Sequence, residues 1–316
     1  MRRPIAVFTA LLSLVALSAA CASGAKKTTA PTTPPASSGR TIIVAAFNFS
    51  ESQVLANMFA DVLDNAGFRA SVKTLTTREV VQPALWSGDV DVVPEYTSSL
   101  ATYLNNHDMG SAAPSVASSD LTKTLSALRA AATRHHLVVL DPSSAANQNA
   151  FAVTRAFAEA NQLATLSDLA RYRGGLTLGG PAECPTRPYC EPGLESTYGI
   201  TFTSFRTLDA GGPLTKLALK SGLIQVGLVF SSDPGIAAYG LQILSDDKQL
   251  QDADVVVPVV NEDVASVRLA GALEGLMKVL TTSDLIQLNA SAELQHVDPA
   301  TVAHDYLAGK ALLPST

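Results

Sequence analysis

Apolar positions along the chain alternate between two periods. Short runs rich in β-branched residues at 41–47, 68–75, 137–140, 150–154, 176–178 and 241–244 predict strands. Between them the spacing turns helical. Val54, Leu55, Met58, Phe59, Val62 and Leu63 share one face of a helix that Gly67 ends. Thr77 is placed to cap the next helix, which Pro83 kinks before Gly88. Asp120 caps a helix over 121–134, and Thr165 caps a short one through 169. Residues 192–198 form a helix stopped by Gly199, and 213–220 form the one before Gly222. A helical tail follows at 264–280, then a helix from a Thr282 cap through 288, and a last one opened by Asp298-Pro299 and closed by Gly309. Strands alternating with helices in this way imply an α/β fold with mainly parallel sheets.

One stretch occurs twice. Ala84-Leu85-Trp86-Ser87-Gly88-Asp89-Val90-Asp91-Val92-Val93-Pro94-Glu95-Tyr96 aligns without a gap to Ala218-Leu219-Lys220-Ser221-Gly222-Leu223-Ile224-Gln225-Val226-Gly227-Leu228-Val229-Phe230. Each copy reads as a helix end, a glycine able to take the left-handed conformation, and a buried strand that stops at an aromatic. Ligands of open parallel sheets bind beyond the carboxyl ends of the strands. Tyr96 and Phe230 are therefore expected at the mouths of two similar lobes that enclose a cleft. The polar stretch 142–149 is the expected first crossing between lobes, and the run 255–260 the return, because a proline inside a strand suggests an edge or a connecting segment. On this reading residues 40–145 and 256–316 make lobe 1, and 146–255 make lobe 2.

Composition adds an address. Arg2 and Arg3, an apolar run over 5–17 and Ser18-Ala19-Ala20-Cys21 have the layout of a secretory signal peptide, covering 1–20. The apolar run is too short for a lasting membrane span. Cys21 after small residues resembles a bacterial lipobox, so it is the expected lipidation site, with simple secretion as the alternative. Residues 21–39 hold Lys26, Lys27, Pro31, Pro34 and Pro35 among Ser, Thr and Ala, which makes a tether. Loss of Arg2 and Arg3 lowers the formal charge by two, from -6 to -8, which argues against nucleic-acid binding. Beyond Cys21 the chain has only Cys184 and Cys190. In an oxidising compartment they most simply form a disulfide closing a small loop, the alternative being two free thiols.

The residues that carry chemistry form an ordered set. Asn48-Phe49-Ser50-Glu51, Glu95-Tyr96-Thr97, Tyr198-Gly199, Ser231-Ser232-Asp233 and Asp246-Asp247-Lys248 resemble, in order and spacing, the substrate-binding proteins of glycine betaine, choline, carnitine and proline betaine importers. The likeness runs from about residue 41 to the carboxyl end. It implies a two-lobed periplasmic-binding-protein fold of type II, two hinge-crossing strands, and closure of the lobes on the ligand. It also implies an extracytoplasmic, monomeric protein that passes a small osmolyte to membrane permease and ATPase subunits, with no cofactor or metal.

Members of that family hold a trimethylammonium head among tyrosines, because a weakly hydrated cation is attracted to ring faces in a desolvated site. Carried over by position, the resemblance assigns Tyr96 as the first box residue, with Thr97 and Ser99 as hydroxyl partners. The second falls on Asn149 beside Asn147, the third on Phe230, and the fourth near Asp254. Arg187 takes the place of the carboxylate-binding arginine, Ser52 that of a ligand-contacting glutamine, and Asn48 opens the first motif. Two rings replace four, so the alternative ligand is a different polar molecule, carried for import or sensed.

An enzyme is the rival class. The chain has no Gly-rich phosphate loop, no Gly-x-Ser-x-Gly elbow and no His or Cys at metal-ligand spacing. Asp89 and Asp91 alternate along a strand, at its amino end and away from the mouth. His135 and His136 are expected as a solvated last helical turn.

Overall fold

The computed structural model describes residues 40–313 apart from 111, 183 and 210. The expected signal peptide over 1–20, Cys21 and the expected tether lie outside the described residues. The strands are β1 (Ile42–Ala46), β2 (Ala70–Thr74), β3 (Val92–Tyr96), β4 (Leu137–Val139), β5 (Asn149–Thr154), β6 (Thr177–Gly180), β7 (Ser204–Thr207), β8 (Val226–Phe230), β9 (Leu241–Leu244) and β10 (Val256–Asn261). The helices are α1 (Ser50–Asn65), α2 (Arg78–Ser87), α3 (Thr97–Met109), α4 (Leu121–Thr133), α5 (Arg155–Asn161), α6 (Leu166–Leu169), α7 (Glu191–Gly193), α8 (Pro213–Lys220), α9 (Gly235–Ala238), α10 (Val267–Met277), α11 (Thr282–Asn289) and α12 (Pro299–Gly309).

Among the described residues, ten strands divide into two sheets of the same plan, β2-β1-β3-β10-β4 and β7-β6-β8-β5-β9. In each, the strand that enters from the other lobe takes the fourth place and runs antiparallel to its neighbours, β10 beside β3 and β4, β5 beside β8 and β9. The repeat read from the sequence maps onto equivalent elements, α2 with β3 and α8 with β8. Gly88 and Gly222 both turn with positive φ, 76° and 74°, a conformation that lacks strain only without a Cβ.

Two apolar layers cover the first sheet. On one face α1 packs with the tail helices through Phe59, Leu63, Leu269, Leu273, Leu285 and Leu307; on the other lie Leu85, Leu100, Leu104 and Leu128 of α2, α3 and α4. The second sheet is covered by α5, α6 and the turn through Leu194 on one face, and by α8 on the other. Asp120 caps α4 and Asp298 caps α12 through their side chains, and Thr165 forms a capping box with Asp168.

Three expectations are corrected. The run 255–260 is not the return crossing itself. Residues 256–261 lie inside the first sheet, and the crossing is the short segment before them, where Val255 bridges Ala146. Pro258 tolerates an interior strand because it stands opposite Pro94 in register, while its carbonyl turns the other way to accept from Leu140 N at 3.1 Å. Its missing amide thus falls just past the end of β4. Thr77 takes the cap position of α2 but makes no side-chain capping bond. His135 is not a solvated turn residue: its ring is largely covered and stacks on Trp86 at 4.3 Å, because the last turn of α4 packs against the ends of α2 and α3.

Candidate functional site

The carboxyl ends of β3 and β8 meet where the chain crosses between sheets. Tyr96 pairs with Val256 at the end of β3, and Asn149 pairs with Phe230 at the end of β8. The two crossing segments hold each other through Asn147 N to Asp254 O at 3.0 Å and Val256 N to Ala145 O at 2.9 Å. Lobe 2 is fastened to the first crossing by Ser231 N to Gln148 O at 2.9 Å and Gln148 N to Ser231 Oγ at 3.0 Å.

Glu51 is the centre of this junction. It lies in the first turn of α1, just past β1, and only 3% of it is exposed. Its Oε1 accepts from the Tyr96 hydroxyl at 2.5 Å and from Asn147 Nδ2 at 2.8 Å, and its Oε2 accepts from Asn289 Nδ2 at 2.5 Å. Asn289, at the end of α11, also donates to Ser232 O of lobe 2 at 3.1 Å. Every one of these donors is neutral. Burying a carboxylate without a cation is costly, and neutral hydrogen bonds offset only part of that cost. Two further electronegative atoms sit at this junction, since the side-chain oxygens of Asn147 and Asn289 are buried without a hydrogen-bond partner among the described residues. Burial, and then the nearby Glu51 carboxylate, push the Tyr96 phenol well above its ordinary value, so it stays a neutral donor.

A second buried carboxylate lies behind it and is balanced. Glu95 receives Arg78 through two bonds of 2.9 Å, Gln82 Nε2 at 2.8 Å and Tyr96 N at 3.1 Å. Burial works against the Arg78 charge, but Glu95 outweighs it and holds the guanidinium above its ordinary value. The same guanidinium lies 5.3 Å from the centre of the Phe47 ring, which stacks on Phe49 at 6.0 Å.

The predicted site residues divide by what the structure gives them to do. Tyr96, Asn147, Asn149 and Phe230 come together around the crossing. Thr97 and Ser99 do not partner Tyr96; they bind the return crossing. Thr97 Oγ1 donates to Ala253 O at 2.7 Å and accepts from Val255 N at 3.2 Å. Asp254 is turned inward as an acceptor for the first turn of α3, from Ser98 N at 2.8 Å, Ser99 N at 3.1 Å and Ser99 Oγ at 2.6 Å. Burial pushes its carboxyl up against these bonds. Ser52 is wholly buried, and its Oγ accepts from Phe47 N at 2.8 Å, closing the turn between β1 and α1. Asn48 is exposed beside that turn. Arg187 stands exposed in the loop closed by the Cys184–Cys190 disulfide, whose Cα atoms are 5.2 Å apart. The same loop reaches lobe 1 through Tyr189 Oη, 3.4 Å from Ser115 Oγ. A small cavity of about 100 Å³ touches Asn149 and Ser231 on lobe 2, walled by Phe151, Leu244, Asp246 and Gln251.

Sequence reasoning quoted Glu51 within the first motif without giving it a role, and did not name Asn289 for the candidate site. An acid in the first turn of a helix reads as a partner of the helix dipole, so Glu51 carried no separate signal. Asn289 had none, being 238 residues away in the chain.

Two α/β lobes of one plan, joined by paired crossings and meeting at their strand ends, define a two-lobed solute-binding protein. Residues 40–309 match the family described as the substrate binding domain of ABC-type glycine betaine transport systems, and the chain belongs to that family. It is 30% identical over 272 residues to the glycine betaine-binding protein YehZ of Escherichia coli K12, covering 83% of this chain and 88% of the relative. The carnitine transport binding protein OpuCC of Listeria monocytogenes is 26% identical, covering 86% of this chain and 87% of its own. A crystal structure of a glycine betaine/carnitine/choline ABC transporter protein superposes with a TM-score of 0.74 at 26% identity, over 86% of this chain and 99% of that one. The family is one of extracytoplasmic binding components of importers rather than enzymes. Among the described residues no helix is long and apolar enough to cross a membrane.

Proposed function

We propose that this chain binds a small quaternary-ammonium osmolyte of the betaine, choline or carnitine class at the crossing between its lobes, and hands it to the permease of an ABC importer. The observation that carries this reading is Glu51, a buried carboxylate at the strand ends whose donors are all neutral. A ligand cation completes its electrostatics. Tyr96 and Phe230 supply rings from the two lobes, and Asn147 and Asn149 supply polar contacts. Arg187 and Asn48 lie farther out and meet the ligand tail as the lobes close, while Ser99 holds the return crossing through Asp254. Relatives named for glycine betaine and for carnitine support the ligand class.

The same reading includes the address and the boundaries. Cys21 carries the lipid, residues 21–39 hold the folded part off the membrane, and the protein acts as a monomer. Lobe 1 comprises 40–145 and 256–316, and lobe 2 comprises 146–255.

Calorimetric titration with glycine betaine, choline and carnitine, alongside 3,3-dimethylbutan-1-ol, separates charge from shape, because the last is a neutral isostere of choline. The expected result is that at least one cationic ligand binds about tenfold or more tighter than the neutral isostere, and that Glu51→Gln abolishes most of this difference. If none of the three cationic ligands binds the parent protein more tightly than the neutral isostere, the reading is overturned.

A further inference from the structure

A second cluster of chemistry lies at the other end of lobe 1. Helix α3 starts at the crossing, and His107, ten residues along, is about 15 Å from that start by the helical rise. There the carboxyl ends of α2, α3 and α4 converge, and with them Trp86, Tyr103, His107, Asp108, Arg134 and His135. The Nδ1 of His107 lies 3.3 Å from Asp108 Oδ1, and the Nε2 of His135 lies 2.8 Å from the same oxygen. One atom from each of these three residues falls within 4.8 Å of the others.

The surroundings are arranged around that oxygen. Arg134 takes the other carboxylate oxygen, Oδ2, through Nε at 2.9 Å and a terminal nitrogen at 2.6 Å. This leaves Oδ1 facing two imidazoles. Their rings are held by the indole of Trp86, with His135 stacked at 4.3 Å and His107 edge-on at 4.9 Å. Three helix ends with outward-pointing carbonyls make the spot favourable for positive charge. The charges of Asp108 and Arg134 offset each other, and the cluster presents two ring nitrogens and one carboxylate oxygen to a cation.

From this geometry we infer that His107, Asp108 and His135 form a binding site for a divalent transition-metal cation of the zinc, nickel or copper type. Imidazole and carboxylate donors suit these ions, and metal–ligand bonds near 2.0–2.1 Å in a tetrahedral site separate ligand atoms by about 3.3 Å. The His107 to Asp108 separation already has that value, and the His135 to Asp108 pair must open by about half an ångström. Arg134 orients the carboxylate from behind, as outer partners do in metal sites. Binding displaces whatever proton the imidazoles share with Asp108 and ties the end of α3 to that of α4. His107 and His135 are 28 residues apart, so spacing in the sequence did not show the cluster.

Trp86 is the chain's single tryptophan, which makes its fluorescence a direct probe. The full chain without an affinity tag is titrated with Cu²⁺, then with Zn²⁺ as competitor. Saturable quenching at one ion per chain, reversed by Zn²⁺, is expected. His107→Ala and Asp108→Asn should each weaken Cu²⁺ binding by about tenfold or more, whereas His136→Ala, His296→Ala and His304→Ala should not. As a second measurement, Zn²⁺ should raise the melting temperature of the parent and leave that of His107→Ala unchanged; this variant alters a half-exposed side chain and keeps the His135 stack. Quenching that fails to saturate, or that is unchanged in both His107→Ala and Asp108→Asn, overturns the site.

Discussion

The ends of β3 and β8 occupy the same place in two sheets of the same plan, and they have diverged in opposite directions. At β3, Tyr96 is buried, its hydroxyl spent on Glu51, and acids gather around it: Glu51, Glu95 and Asp254. At β8, Phe230 is half-buried and has no hydroxyl, and the turn after it carries a closed pair, Lys216 with Asp233 at 2.7 and 2.8 Å. Even the helix position that supports each end is equivalent. Gln82 of α2 serves Glu95, and Lys216, its counterpart on α8, serves Asp233. The backbone of the repeat has been kept while its side chains have been divided between tasks. The end of β3 has buried carboxylates beside it, and the end of β8 an aromatic ring without a hydroxyl.

The supporting pair offers the largest break in this comparison. Lys216→Met leaves Asp233 buried with no cation and is expected to destabilise the protein by about 3–5 kcal/mol, whereas Gln82→Met leaves Glu95 its bidentate arginine and costs about 1–3 kcal/mol. Chemical denaturation of both variants measures the gap. The strand-end residues come next. Tyr96→Phe removes a charge-assisted donor from Glu51 and should lower stability by about 1.5–3 kcal/mol. Phe230→Ala should instead cost ligand affinity, about 0.5–2 kcal/mol or roughly two- to thirtyfold by calorimetry. A reversed pattern, with Phe230 the stabilising residue, would remove the division of labour.

The smallest effect sharpens the acidic side. Burial first, and the Asp254 charge second, raise Asp252 from 3.8 to about 6, with a hydrogen bond from Tyr189 acting the other way. The folded protein therefore holds this proton more tightly than the unfolded chain. The group's contribution is full below about pH 3.8 and is lost as pH rises through about 6. Asp252→Asn should flatten that part of the stability profile and raise the melting temperature at pH 7. Melting curves of both proteins between pH 4 and pH 8 provide the check.

Much of the fold was legible because its signals are local. The left-handed glycines at 88 and 222, the β-branched runs after them and the aromatic stops are contained within 13 residues in each copy. The close cysteine pair was legible for the same reason. What was hidden depends on distance. Asp254 looked like a ligand group, but the amides of Ser98 and Ser99, 156 and 155 residues earlier, donate to it. Ser52 looked available, but the Phe47 amide had claimed its hydroxyl. The place of Tyr96 was legible because a strand end is visible in sequence; the hydrogen bonds of Glu51 were not, because its neutral company is assembled from three other segments of chain.

That company includes an amide with a double attachment. The single NH2 group of Asn289 reaches both the Glu51 carboxylate and the backbone of Ser232 on the opposite lobe. Spreading the lobes would cost the second bond, and under the proposed function a cation that draws Glu51 toward itself would loosen the first. Under that reading one side chain would be sensitive to both the angle of the hinge and the occupancy of the cleft, so that the arrival of solute and the stiffness of the junction would be felt at a common point.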